Sequence, residues 1–204
     1  MINAGIVSLP LQADGALGTG SIMINKGGTL MLNRINSKNP LILNGGTIQA
    51  SNGYGNSFNN LVNLKSNSTI QSDNMLSFLG NISGVGGLTK NGRDELVLSG
   101  SNSFSGGNRV QTGILQCNTV TAMGSGPLEI AEGAMVKLNY TGNGTISGLI
   151  IAGIPQVAGT YGSTASDATY KNDKCFSGKG TVTVVLIKKE VRASPPGNRP
   201  ARTK

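Results

Sequence analysis

Few residues in this chain can do chemistry, and they are sparsely placed. The 204 residues include no histidine and only two cysteines, Cys117 and Cys175. Without imidazole there is no His-based general base, no Ser-His-Asp triad and no Cys-His pair, and without a Cys-x-x-Cys spacing there is no zinc finger. What remains is carboxylate chemistry. Cleaving a glycan takes two carboxylates across one bond, and holding calcium takes several oxygens. Three groups of acids are close enough in sequence to consider: Asp94 and Glu95 with Arg93 and Arg109, Glu129 with Glu132, and Asp167 with Asp173. The first falls in a predicted turn, the second flanks a strand and turn, and the third lies in a polar loop. Acids in such places are usually just solvated, which leaves at most a weak ion site at Asp167 and Asp173. No residue is therefore assigned a catalytic, cofactor-binding or metal-binding role, and no cofactor is expected. Carbohydrate binding favours exposed aromatics, and the candidates Tyr54, Phe58, Tyr140, Tyr161 and Tyr170 do not cluster in sequence. Gly18-Thr19-Gly20 and Gly178-Lys179-Gly180 lack the strand–loop–helix context of a phosphate cradle and read as turns.

The formal net charge of +8 is not spread evenly. Residues 188–204 hold six basic residues against the single acid Glu190, together with Pro195, Pro196 and Pro200. Such a tail reads as a disordered, solvated end. Nucleic acid is not expected as a partner, because neither a folded basic face nor an aromatic stacking platform is visible. Cys117 and Cys175 could bridge in an exported protein, but two separate, inert thiols are the simpler reading. The segment 1–12 has no basic n-region and no unbroken apolar core, so it does not read as a signal peptide. The longest apolar run, Leu149 to Ile154, is too short to span a membrane. A fragment of a larger exported protein fits these features as well as a cytosolic chain does.

The elements that must position these groups are short strands and tight turns. Glycine, at 31 residues, is about twice its usual share of ~7 %. Apolar residues come in pairs and alternations such as Leu96 and Leu98, which share one face of an extended chain. Residues 18–33 align without a gap onto residues 124–139, with Ile22/Leu128, Ile24/Ile130, Gly27/Gly133, Leu30/Val136, Leu32/Leu138 and Asn33/Asn139 coinciding at an offset of 106. A shorter period lies inside this repeat. A turn leading into a strand recurs at Gly28-Thr29-Leu30, Gly46-Thr47-Ile48, Ser68-Thr69-Ile70, Gly87-Leu88-Thr89, Thr112-Gly113-Ile114 and Gly133-Ala134-Met135, with one wider step across 84–116. Steps of about 20 residues, each carrying two or three strands, are what the coil of a β-solenoid needs. Some nine coils at about 4.8 Å each would make a rod of about 45 Å. Inward Leu, Ile and Val would stack in files, with Asn33, Asn44 and Asn91 as hydrogen-bonded ladders. A sandwich of hairpins is the competing fold, but Asn44-Gly45 and Asn91-Gly92 do not join matched alternations. The expected organisation is one all-β domain over 1–187, with 84–116 its clearest repeat and 140–187 its terminal coils.

The blocks Gly86-Gly87-Leu88-Thr89-Lys90-Asn91-Gly92, Leu96-Val97-Leu98-Ser99-Gly100-Ser101-Asn102, Phe104-Ser105-Gly106-Gly107 and Gly113-Ile114-Leu115 occur in order with fitting gaps. This stretch resembles the autotransporter-associated β-strand repeat, also called the passenger-associated transport repeat. Arg93-Asp94-Glu95 departs from the small residues usual at that turn, as does Ser103-Phe104 from Thr-Tyr. Residues 139–184 look like the segment that ends such arrays. The resemblance implies a right-handed parallel β-helix on the surface of, or secreted by, Gram-negative-type bacteria, linked to passage of a passenger through the outer membrane, with no catalytic residues to transfer. The expected role is a non-enzymatic, rigid or adhesive stalk that aids its own export. Its partners would be further coils of a parent chain and surface glycans or host or biofilm matrix. The alternative is a polysaccharide-binding or polysaccharide-degrading β-helix.

Overall fold

The computed structural model describes residues 1–52 and 55–185. Tyr54, the last residues assigned to the domain and the basic tail lie outside them. No helix occurs among the described residues; every regular element is a short strand. The strands stack into three walls of a prism, each wall a sheet whose neighbouring strands are successive turns of the chain. The first wall is Ile22–Asn25, Leu41–Asn44, Val62–Ser66 and Ile82–Gly84. The second and longest runs Gly5–Ser8, Gly28–Asn33, Thr47–Asn52, Ser68–Ser72, Leu88–Asn91, Asn108–Val110, Leu128–Ile130 and Leu149–Ile151, all parallel. The third holds seven parallel strands from Asn36–Ser37 to Phe176–Ser177. The eight parallel strands of the second wall are joined by seven turns, about 34 Å of stack.

The sequence leads to nine coils, and the shortfall lies at the C-terminal end. Beyond Ile151 the chain leaves the second wall, and only Phe176–Ser177 returns to the stack, on the third. Ala152 and Gly153, at φ 48° and 79°, make a two-residue turn into Ile154–Pro155, which pairs antiparallel with the second wall's last strand. Pro155 cannot donate a ladder hydrogen bond, so growth of the sheet stops there. Asn143–Ile146, Thr181–Val184, Gly159–Gly162 and Tyr170–Lys171 form a separate mixed sheet.

The period-2 alternation points every second side chain inward, and the parallel register stacks those side chains in files. In the third wall Phe58, Phe78, Leu98, Cys117 and Leu138 form one file, with the two phenyl rings 5.6 Å apart. In the second wall the file is Leu30, Ile48, Ile70, Lys90, Val110, Ile130 and Ile151, with the exposed Val7 in register on the first strand. The files meet in one continuous apolar core. Each fully buried Leu, Ile or Phe contributes roughly 1.5–3 kcal/mol, which lets a wall of only three or four residues per turn hold.

Two readings of the repeat change here. Residues 22–25 belong to the first wall but their partners at offset 106, 128–130, belong to the second; 28–33 and 135–138 are likewise on different walls. All three walls need the same local alternation and the same turn, so one sequence pattern serves at different corners. The wider step across 84–116 has the same origin, because Gly87-Leu88-Thr89 enters the second wall and Gly113-Ile114 the third. Within the second wall Thr89 pairs with Arg109 and Arg109 with Glu129, steps of 20 residues with no gap.

Asparagines close the corners. Asn25 donates to Asn3 Oδ1 at 2.8 Å and Asn44 to Asn25 Oδ1 at 2.9 Å, a ladder up three coils. Asn139 donates to Asn118 and Asn118 to Ser99 in a second ladder. Asn33 instead donates to the Leu9 carbonyl. Asn91 contributes its backbone carbonyl, which accepts from Lys90 and Ser72.

Candidate functional site

The acids considered for catalysis are distributed over separate walls and corners. Arg109 and Glu129, adjacent on the outer face of the second wall, pair at 2.7 Å. Glu95, on the third wall, lies 3.6 Å from Lys137. Asp94 accepts from the Glu95 backbone N–H at 2.8 Å, and Arg93 reaches toward the Asp73 carbonyl at 3.5 Å. Glu132 and Asp167 are exposed. Asp173 Oδ1 accepts from the Thr164 N–H at 2.7 Å, and that bond holds its carboxyl below the ordinary aspartate value. Among the described residues no three Cys, Asp or Glu side chains converge, and Glu129 and Glu132 point from a strand and from the turn after it. The cysteines do not bridge. Both are free and buried, Cys117 on the third wall and Cys175 just before that wall's last strand. Burial pushes the Cys117 thiol up to about 12.

The aromatic candidates divide in the same way. Phe58 is fully buried, so it is a core residue and not a ligand platform. Tyr140 is half-buried and donates to the Thr181 carbonyl; Tyr161 is buried and donates to the Val157 carbonyl. Tyr170 is exposed and stacks on Tyr161 with ring centroids 4.8 Å apart.

What the structure does assemble is the outer face of the second wall and the corner leading into it. A groove of about 370 Å³ lies where the strands of five successive coils begin, lined among others by Asn67, Thr89, Asn108, Arg109, Glu129 and Ile150. The groove is open because the corner is glycine. A Cβ on Gly106 would sit 2.3 Å from the Gly86 carbonyl carbon, and one on Gly126 2.2 Å from the Gly107 nitrogen. Only glycines can stack that closely, and their stacking leaves bare backbone where side chains would stand. Asn108 lies in the groove lining with 5 % exposure; its Nδ2 donates to the Met123 carbonyl, while its Oδ1 has no partner.

Directly inside this wall is Lys90, 1 % exposed in a file of aliphatic residues. Its ammonium donates to the carbonyls of Asn91 at 2.9 Å, Gly92 at 2.7 Å and Thr112 at 3.0 Å, tying one turn to the next. Burial draws its pKa down to about 8, against the opposing pull of Asp73 and Asp94. Lys90 was open to detection from sequence. Aligning Ser68-Thr69-Ile70-Gln71 with Leu88-Thr89-Lys90-Asn91 places it opposite Ile70, in an inward slot.

Residues 88–116 match the family model described as Passenger-associated-transport-repeat. The chain carries a passenger-associated transport repeat. The matched residues begin at the strand holding Lys90 and run through Arg109 to the third wall at Gln116, one full coil and the start of the next. The chain is also 37 % identical over 67 residues to a Brucella suis biovar 1 protein named Adhesin BmaC autotransporter. That alignment covers 33 % of this chain and 2 % of the relative, so the chain spans a small fraction of the relative's length. No solved structure matches. No described helix is long and apolar enough to cross a membrane.

Proposed function

We propose that this chain serves as a structural segment of an exported bacterial passenger, a rigid, non-enzymatic stalk at the cell surface or outside the cell whose own folding aids its export. The observation that carries this reading is the transport repeat itself, set in register inside an unbroken stack. The relative's name, an autotransporter adhesin, supports placing the chain in a passenger and outside the cell. Further coils of a parent chain would be its neighbours.

In a solenoid each coil contacts only the coils beside it, so folding propagates one coil at a time on the preceding edge. A chain that folds this way on the far side of a membrane resists sliding back. The test places the 204 residues between a secretion leader and an outer-membrane barrel, and follows arrival of the passenger at the cell surface by protease accessibility. The expected result is display of a protease-resistant passenger, with arrival slowed by Leu96→Asp, which puts an unpaired charge in the core. Equal arrival of the folded and the Leu96→Asp passengers would refute the link between folding and export.

A further inference from the structure

The second wall carries a pattern on its outer face that the stalk role does not use. Parallel register stacks Thr29 on Thr47, Thr47 on Thr69 and Thr69 on Thr89, four hydroxyls in one straight column. Beside it runs a second column, Gln49, Gln71 and Asn91. All seven side chains are half-buried, lying low on the sheet. The Gln71 amide is fixed by both oxygens of Asp73, at 2.9 and 3.0 Å, so its carbonyl oxygen is free to accept. The threonine column continues through Arg109 and Glu129 into the glycine-floored groove.

We propose that this face binds a neutral, hydroxyl-rich polysaccharide laid along the solenoid axis, with the threonine column as its rail and the groove at Gly106 and Gly107 as its end site. Two observations carry this assignment. The column repeats at about 4.8 Å, close to the length of one sugar unit in an extended chain, so each unit meets the same methyl and hydroxyl. Charge selects a neutral polymer, since the column's one cation and one anion neutralise each other at 2.7 Å. The sheet holds the rail before a ligand arrives, so little ordering cost opposes binding. An extended peptide would need a strand edge, and this is a sheet face.

The experiment is affinity electrophoresis of the full chain in native gels holding hydroxyethylcellulose, xyloglucan, galactomannan or dextran, with alginate and chitosan as the charged polymers. Retardation in at least one neutral gel, insensitive to salt, is expected. Thr47→Val/Thr69→Val/Thr89→Val keeps shape and strand preference but removes three hydroxyls. It should weaken retardation about tenfold or more with an unchanged unfolding midpoint. Retardation by none of the neutral polymers, or only by alginate or chitosan and abolished by salt, would overturn the proposal. So would a triple variant that folds and is retarded like the parent chain. Should that variant unfold, Thr69→Val alone supplies the same comparison.

Discussion

The buried lysine makes a sharp claim about stability. Lys90 is the one charged side chain in the second wall's inward file, with Ile70 on one side and Val110 on the other. Its pKa falls from 10.5 to about 8 because burial penalises the ammonium. At 1.36 kcal/mol per tenfold change in proton affinity, keeping the charge inside costs the fold about 3 kcal/mol. The sign follows from linkage. Below pH 8 both the folded and the unfolded chain hold the proton, and the whole cost is present. Between about 8 and 10.5 the unfolded chain still holds it while the folded chain has released it, so stability rises with pH. The rise from pH 7 to pH 9 should be about 1.3 kcal/mol. Cys117 works in the opposite direction, since its thiol is raised from 9.0 to about 12 and its contribution is lost as pH climbs from 9 toward 12. Urea unfolding at pH 7, 8 and 9 therefore isolates the lysine, with Lys90→Met as the reference that fills the slot without a charge. The parent chain should gain stability relative to the variant by that amount. A constant difference across the range would refute the reasoning. If Lys90→Met does not fold, NMR titration of the Lys90 ε-carbon in the parent chain decides, and a midpoint near 10.5 would be equally damaging.

Other positions give independent checks by the same unfolding measurement or by simple labelling. Gly106→Ala should cost about 3 kcal/mol or prevent folding, because its Cβ would land 2.3 Å from the Gly86 backbone, whereas Gly133→Ala, at φ +78° with nothing within 4 Å, should cost only about 1 kcal/mol of backbone strain. Phe78→Ala removes a fully buried ring packed on Phe58 and should cost about 3–5 kcal/mol. Cys117 should resist alkylation in the folded chain and react after denaturation, and a reducing agent should leave the melting temperature unchanged, since the cysteines are unbridged. Deleting 89–108, one whole coil, joins Leu88 to Arg109 in register and should leave a shorter but still β-rich, cooperatively melting chain. Deleting 89–98 takes out half a coil and should abolish the β-sheet circular dichroism signal.

The solenoid was legible from sequence because its information is local. A strand start every 20 residues and a two-residue alternation survive in any one coil, and Leu30, Ile48 and Ile70 mark their file unaided. What was not legible depends on which wall a segment occupies. The alternation of 22–25 and that of 128–130 are interchangeable as strings, and only pairing across coils assigns them to different walls. Phe58 illustrates the same limit, since its neighbours Asn56 and Asn59 suggest a wet surface, yet its register with Phe78 puts it in the core. Thr29, Thr47, Thr69 and Thr89 recur visibly along the chain, but only the pairing across coils stacks them as one column on the outer face of one wall. The end of the stack was hidden for a different reason. Ile150 to Ile154 is as apolar as any inward strand, and the turn at Ala152-Gly153 is what reverses it.

Two buried polar residues of the coil that matches the transport repeat, Lys90 and Asn102, address a weakness of a stack built from alternation. Sliding one coil by two residues along its neighbour keeps every apolar side chain inward, so burial alone hardly distinguishes the two registers. Lys90 distinguishes them, because its ammonium reaches the Thr112 carbonyl of the next coil as well as those of Asn91 and Gly92 in its own, and a slipped coil would cost the buried charge its inter-coil acceptor. Asn102 works the same way from the coil's other end, accepting from the Ile82 N–H below and donating to the Ala122 carbonyl above. An aliphatic residue at position 90 would relieve the charge burial worked out above and surrender this discrimination. Lys90→Met should therefore match or exceed the parent in equilibrium stability at pH 7 while refolding with an added slow phase from misregistered coils. A variant that is both as stable and as cleanly single-exponential in refolding as the parent would show that the lysine does not set the register.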